Sequence, residues 1–168
     1  YGVIDNYVAR DEGYCFLELG KYIERILNSV NLIRKQWILY GEDLLDNDYS
    51  NWRYFLSSVS GYDFYLRNNL GTMEKERIFY QMIYEPLFPN SITYSLNELD
   101  KFAKQLNSGE QGESDETVGF FIGKCIANVQ FTRHPRTREE KMLFLARIES
   151  DIYEISNIFN HQFFGLVV

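Results

Sequence analysis

The chain is poor in the residues that interrupt helices, cross-link chains or coordinate metals. Only three prolines occur in 168 residues, so long helices meet few obligatory breaks. Two cysteines, Cys15 and Cys125, lie far apart within apolar helical patterns. They are expected to be buried free thiols, without the electropositive neighbours that activate a nucleophile. Histidines number two, His134 and His161. A structural zinc site needs four Cys or His ligands at set spacing, and a carboxylate metal site in a bundle needs repeated Glu-x-x-His pairs. Neither pattern occurs, nor does a glycine-rich phosphate loop, so no cofactor or metal is expected. No apolar run approaches the roughly 20 residues of a membrane span. Positive charge is also scarce: the net charge is −7, which argues against nucleic acid or an anionic membrane as the main partner. No secretory signal is legible, and the expected location is cytoplasmic.

Large apolar side chains are abundant. Aromatics make up 17% of the residues, with 13 Tyr and 13 Phe, ample for the core of one domain spanning 1–168. Apolar residues recur every three or four positions. Phe16, Leu19, Ile23, Ile26, Val30, Ile33 and Trp37 predict a first helix over about 11–37. Trp52, Phe55, Leu56, Val59, Tyr62 and Leu66 predict a second over about 51–70, with Gly61 as a point where it can split. A short third helix, capped by Thr72, ends near Tyr84, and a fourth occupies about 90–106. Val118, Ile122, Cys125 and Val129 mark a fifth over about 115–131. Thr137 and Glu140 form a capping box ahead of a sixth, with Met142, Leu145, Ile148, Ile152 and Ile155 in register. No strand alternation is present. The expected fold is all-α, an antiparallel up-down bundle of about six helices, with a flexible connector at 107–114. The core should include Leu19, Ile23, Val30, Trp52, Phe121, Ile148 and Ile152. Gly20 and Gly123, with Gly13 and Gly119, are expected to admit close helix packing.

Several segments resemble motifs of one family. Phe16-Leu17-Glu18-Leu19-Gly20-Lys21-Tyr22-Ile23-Glu24-Arg25 resembles the F-L-x-L-G-R-x-x-E-R signature of the bacterial alpha-E family. Arg10-Asp11-Glu12-Gly13 resembles the R-D-E-G ahead of it. The stretch 52–65 resembles W-x-x-L-x-S-x-S-x-x-x-x-Y, Phe88-Pro89-Asn90-Ser91 resembles an F-P-R-S turn, and Phe163-Phe164 resembles a terminal Y-F. The segments come in the family's order over nearly the whole chain. Asn90 departs from the family's Arg, which removes any anion contact that Arg would carry. Lys21 for Arg loses bidentate geometry. The resemblance implies a parent protein roughly twice as long, with this chain as its C-terminal half, which agrees with a start at Tyr1 rather than Met. It also implies a bacterial setting beside ATP-grasp ligases and transglutaminase-like peptidases, hence amide-bond or peptide modification. The expected partners are an ATP-grasp ligase or its peptide substrate. Apolar Val3, Ile4 and Val8 at the N-terminal edge are expected to invite self-association.

Glu12, Glu24 and Arg25 are the candidate polar site. Glu24 and Arg25 are adjacent on a helix and point about 100° apart, so they do not pair with each other. Glu12 falls on the apolar stripe and should meet other helices. Both Glu24 and Arg25 are expected to be partly withdrawn from water, with a cation from another helix (Arg53, Arg67, Arg77 or Arg147) facing Glu24. Arg133, His134 and Arg136, with Arg138, form the one local basic cluster, a candidate contact for an anion or a partner's acidic segment. No complete catalytic signature is present. The leading expectation is a non-catalytic module that binds a protein partner. The competing expectation is an enzyme or small-ligand-binding domain with a polar pocket around Glu12, Glu24 and Arg25.

Overall fold

The computed structural model describes residues 12–41, 49–69, 73–107 and 117–165. Among them are seven helices and no strand: α1 (Glu12–Tyr40), α2 (Ser50–Ser58), α3 (Tyr62–Asn68), α4 (Lys75–Tyr84), α5 (Ile92–Asn107), α6 (Val118–Phe131) and α7 (Arg138–Phe164). The all-helical expectation holds, with one more helix than the six read from periodicity. The extra break is at Ser60-Gly61. Ser60 adopts φ 54°, in the left-handed region, and ends α2. Gly61 follows where a Cβ would lie 2.9 Å from the Phe88 ring and 3.0 Å from the Gln81 amide, so the chain turns into α3 against a surface with no room for a side chain.

The four long helices form the bundle. Tyr14 meets Phe102 and Ser29 bonds the Asn90 carbonyl, so α1 and α5 run antiparallel. Phe16 packs on Phe163 while Arg34 pairs with Glu149, so α1 and α7 do too. The Val118 N–H donates to Gln162 and the Asn128 amide to Asp151, which makes α6 and α7 antiparallel. With α5 packed on α6, the ring closes in up-down order. Helices α2 and α4 pack near the C-terminal end of α1, where Trp37 stacks edge-on to Trp52 and Phe79 at 5.1 and 5.2 Å.

The core forms where the stripes meet. Leu19, Val30, Trp52, Ile148 and Ile152 are buried as expected. Ile152 is fully enclosed, and such burial stabilises by roughly 1.5–3 kcal/mol per side chain. Ile23 and Phe121 sit at the margin, partly buried against the core. Helix α7 starts as read: Thr137 accepts the Glu140 N–H at 3.2 Å and Glu140 accepts the Thr137 N–H at 3.2 Å. It ends on Gly165 at φ 62°. The close packing expected at glycines is not found at Gly20 or Gly123, where a Cβ would meet nothing within 4 Å. Both lie on exposed faces; a missing side chain permits approach but does not cause it.

The family-like turn 88–91 has structural work of its own. Phe88 is buried against Phe64, and the Ser91 hydroxyl both donates to the Glu85 carbonyl at 2.6 Å and accepts the Tyr94 N–H at 3.0 Å, capping α5. Among the described residues no helix is long and apolar enough to cross a membrane. The expected self-association edge at 1–10, the Thr72 cap and nearly all of the 107–114 connector lie outside the described residues.

Candidate functional site

A second stripe of α1 runs beside its apolar one. Lys21, Glu24, Arg25, Asn28, Ser29 and Leu32 recur at three- and four-residue spacing, so they share one side of the helix. That side forms a wall of an open cleft of about 280 Å³, closed opposite by Ser58, Val59 and Asn90. The α2–α3 break and the 88–91 turn therefore build the facing wall, and α1 supplies the polar groups.

Most of the wall is tied down internally. The buried Ser29 hydroxyl donates to the Asn90 carbonyl at 3.2 Å, and the Asn90 amide donates to the Val59 carbonyl at 2.8 Å. Asn90 is thus a brace between α1 and the end of α2, where the resemblance places an Arg. Arg25 donates to the Pro89 carbonyl at 3.2 Å and lies 5.2 Å from the Tyr22 ring centroid. Glu18 is held by Lys21, whose ammonium donates to both Glu18 oxygens at 2.7 and 2.5 Å. Glu18 is buried, and a buried carboxylate needs such a partner. Burial, followed by the nearby Glu98 carboxylate, raises the Tyr22 phenol above its ordinary pKa.

Glu24 differs from its neighbours. It is exposed and has neither hydrogen bond nor ion pair among the described residues, so the expected cation from another helix is not there. Of the four arginines considered, Arg77 pairs with Glu74 and Arg53 lies over the Tyr62 ring. Water reaches Glu24 from the cleft, and its charge needs no internal partner. Asn28 is likewise exposed. Glu12 is exposed instead of packed between helices, and lies about 18 Å along α1 from Glu24, outside the cleft. The same turn already meets α5 through Tyr14 on Phe102 and Cys15 on Gln105, so Glu12 sits on the side of α1 that faces away from it.

The basic cluster divides. Arg133 and His134 line a second groove of about 320 Å³, together with Thr132, Pro135, Glu140, Leu143, Phe144 and Arg147. Arg136 does not line it: its N–H donates to Glu140 and its carbonyl accepts from Lys141. Arg138 reaches the Ile38 carbonyl at 3.4 Å. His134 packs on Phe79, Tyr80 and Tyr84, and burial lowers its pKa below the ordinary value.

Periodicity alone missed Lys141. It is buried, with its ammonium 3.0 Å from Glu76, 2.8 Å from the Arg136 carbonyl, and over the Trp37 and Phe79 rings at 4.8 and 5.5 Å. The signal was present: 141, 145, 148, 152 and 155 share the α7 stripe. Glu18 is placed the same way between Cys15 and Tyr22 on α1. A charge in register with an apolar stripe marks a buried, partnered group.

Both cysteines are buried thiols outside any disulfide among the described residues, and burial pushes the Cys125 thiol up to about 12, far from a nucleophilic thiolate at neutral pH. Among the described residues no group of three or more His, Cys, Asp or Glu could hold a metal ion. No curated protein and no solved structure matches the chain. The model of the Alpha-E family, a predicted alpha-helical domain with a conserved ER motif, matches residues 1–164, and the chain belongs to that family.

Proposed function

We propose that the chain is a non-catalytic binding module that holds a short peptide segment in the α1 cleft, as the partner- or substrate-binding component of an ATP-grasp amide-ligase system. The observation that carries this reading is the open polar cleft in which Glu24 has no internal partner. A peptide unit offers one N–H and one C=O. Glu24 can accept, Asn28 can do both, and Arg25 has guanidinium donors beyond the one that reaches Pro89. Leu32 and Val59 add apolar surface for a side chain. The volume lies at the small end of the roughly 300–1,000 Å³ typical of ligand sites, which suits one or two residues of a peptide. The ligase setting rests on the family resemblance. The enzyme reading, with Glu12, Glu24 and Arg25 acting together, draws less support because Glu12 is remote from the cleft.

The test is co-purification with an ATP-grasp ligase of the same cell, comparing wild type with Glu24→Gln and melting the same samples. The wild type should capture the ligase, with or without its peptide substrate, and the variant should melt normally and lose capture. A normally melting variant that still captures the ligase removes Glu24 from the reading. A wild type that captures nothing removes the ligase.

A further inference from the structure

The groove beside the α6–α7 turn presents net positive charge on an acidic protein. Arg133 rises from the turn and Arg147 from the third turn of α7, and neither has a hydrogen bond or ion pair among the described residues. The one carboxylate lining the groove, Glu140, feels Arg133 but is bonded to the backbone. It accepts the Arg136 and Thr137 N–H groups at 2.7 and 3.2 Å, and these bonds hold its carboxyl below the usual range. Two arginines against this one carboxylate leave the groove net positive although the chain carries −7 overall. Its apolar part is open as well: Leu143 is 71% exposed, and Phe131, one residue before Thr132, is 84% exposed. Single exposed apolar residues are ordinary. Here Leu143 shares one concavity with two arginines that form no hydrogen bond or ion pair among the described residues.

We infer that this groove docks a short acidic peptide segment carrying an apolar side chain between its carboxylates. The volume of about 320 Å³ takes one such side chain with its flanking acids. Each guanidinium presents a planar fork suited to bidentate contact with a carboxylate. Leu143 and Phe144 receive the apolar group. A nucleic-acid backbone fits poorly, since it needs a longer run of cations and offers nothing to Leu143. A bare inorganic anion leaves the apolar surface unused. Tyr84, in ring contact with both His134 and Phe144, adds a buried hydroxyl next to the groove that has no hydrogen-bond partner among the described residues. This site is independent of the Glu24 cleft.

The test is fluorescence anisotropy with a fluorescein-labelled peptide, Asp-Glu-Leu-Phe-Glu-Asp, against its Asn/Gln analogue and a single-stranded DNA of equal length. The acidic peptide should bind about tenfold or more tighter than the analogue, with affinity falling as salt rises. The double variant Arg133→Gln/Arg147→Gln should weaken it about tenfold with an unchanged melting temperature. Leu143→Ser should weaken the acidic peptide and the analogue alike. Glu24→Gln should bind the peptide as wild type does, which separates this site from the proposed cleft. Equal binding of the analogue or the DNA, no binding at all, or binding indifferent to the double variant would overturn the inference. So would a dimer that Arg147→Gln dissolves, because the groove would then belong to a second copy.

Discussion

Two Glu-Arg pairs in this chain have the same local sequence and opposite surroundings. Glu24-Arg25 lies on α1 and Glu76-Arg77 on α4. Glu24 is exposed at a cleft and bonds nothing among the described residues, while Arg25 ties to the Pro89 carbonyl. Glu76 reaches the buried ammonium of Lys141, and Arg77 pairs with Glu74 at 2.8 Å. The difference comes from what faces each helix. Opposite Glu24 are a chain break and a turn, which leave a concavity. Opposite Glu76 is the start of α7, which brings a lysine into a dry aromatic setting. The first carboxylate is available to a ligand; the second is part of the fold. The dipeptide itself carries neither role.

Charge reversal should separate the two most widely. Glu76→Lys sets a second cation against one enclosed by Trp37 and Phe79. Breaking a buried pair costs on the order of 3–5 kcal/mol. Glu76 is itself half exposed, so its replacement can swing away, and the loss should fall at about 2–3 kcal/mol. Glu24→Lys should stay within about 0.5 kcal/mol of wild type. Urea unfolding of both variants checks the contrast, and equal losses would erase it. A smaller effect is expected from Lys141→Met, which keeps the length and contact with Trp37 and Phe79 but discards the charge. Water can then solvate Glu76, so the change should cost about 1 kcal/mol or less. A larger loss would mean that the ion pair, and not the packing of the stem, holds α4 to α7.

How much of this was readable in advance depended on whether a signal was local. The Thr137–Glu140 capping box is complete within four residues, and both of its hydrogen bonds are present. The α1 and α7 stripes follow from spacing alone, and Val30, Ile148 and Ile152 are buried accordingly. Ile23 and Phe121 are only partly buried, because periodicity locates the centre of a face better than its edge. Gly20 and Gly123 failed since a neighbour's approach is decided by the whole bundle. The cleft was half legible. Glu24 and Arg25 stood out as a motif, but Ser58, Val59 and Asn90 join them only through the Ser60-Gly61 corner and the 88–91 turn. Lys141 needed only the step of treating a lysine as a stripe position.

At the cleft the expected stability change is smaller still. Glu24→Ala removes an exposed carboxylate without an internal partner, so unfolding should move by less than about 0.5 kcal/mol. A loss of several kcal/mol would instead reveal a structural partner, and the two Glu-Arg pairs would no longer differ in kind. Glu24→Ala and Glu76→Ala, unfolded in parallel, give the most direct ranking.

The finest distinction concerns acid. His134 belongs to the Glu76 side of the molecule, packed on Phe79, Tyr80 and Tyr84 with Lys141 and Arg136 nearby. Burial, then the two cations, lowers its pKa below 6.5, while the Glu76 carboxylate acts in the opposite sense. A base whose folded pKa is depressed binds fewer protons folded than unfolded. The stability it contributes is therefore whole above the unfolded pKa near 6.5 and is lost as pH falls through the lower folded value. Stability should decline as pH drops from about 7 towards about 5, and His134→Gln should flatten that decline. Glu76→Gln should steepen it, because removing the carboxylate lowers the His134 pKa further. Glu24→Gln, at the other Glu-Arg pair, should leave the slope as it is. Urea midpoints of the four proteins across this pH range measure the slopes directly. A Glu24→Gln slope that changed as much as that of Glu76→Gln would show that the two regions share one electrostatic environment, and that the open pair and the buried-partner pair are not separate after all.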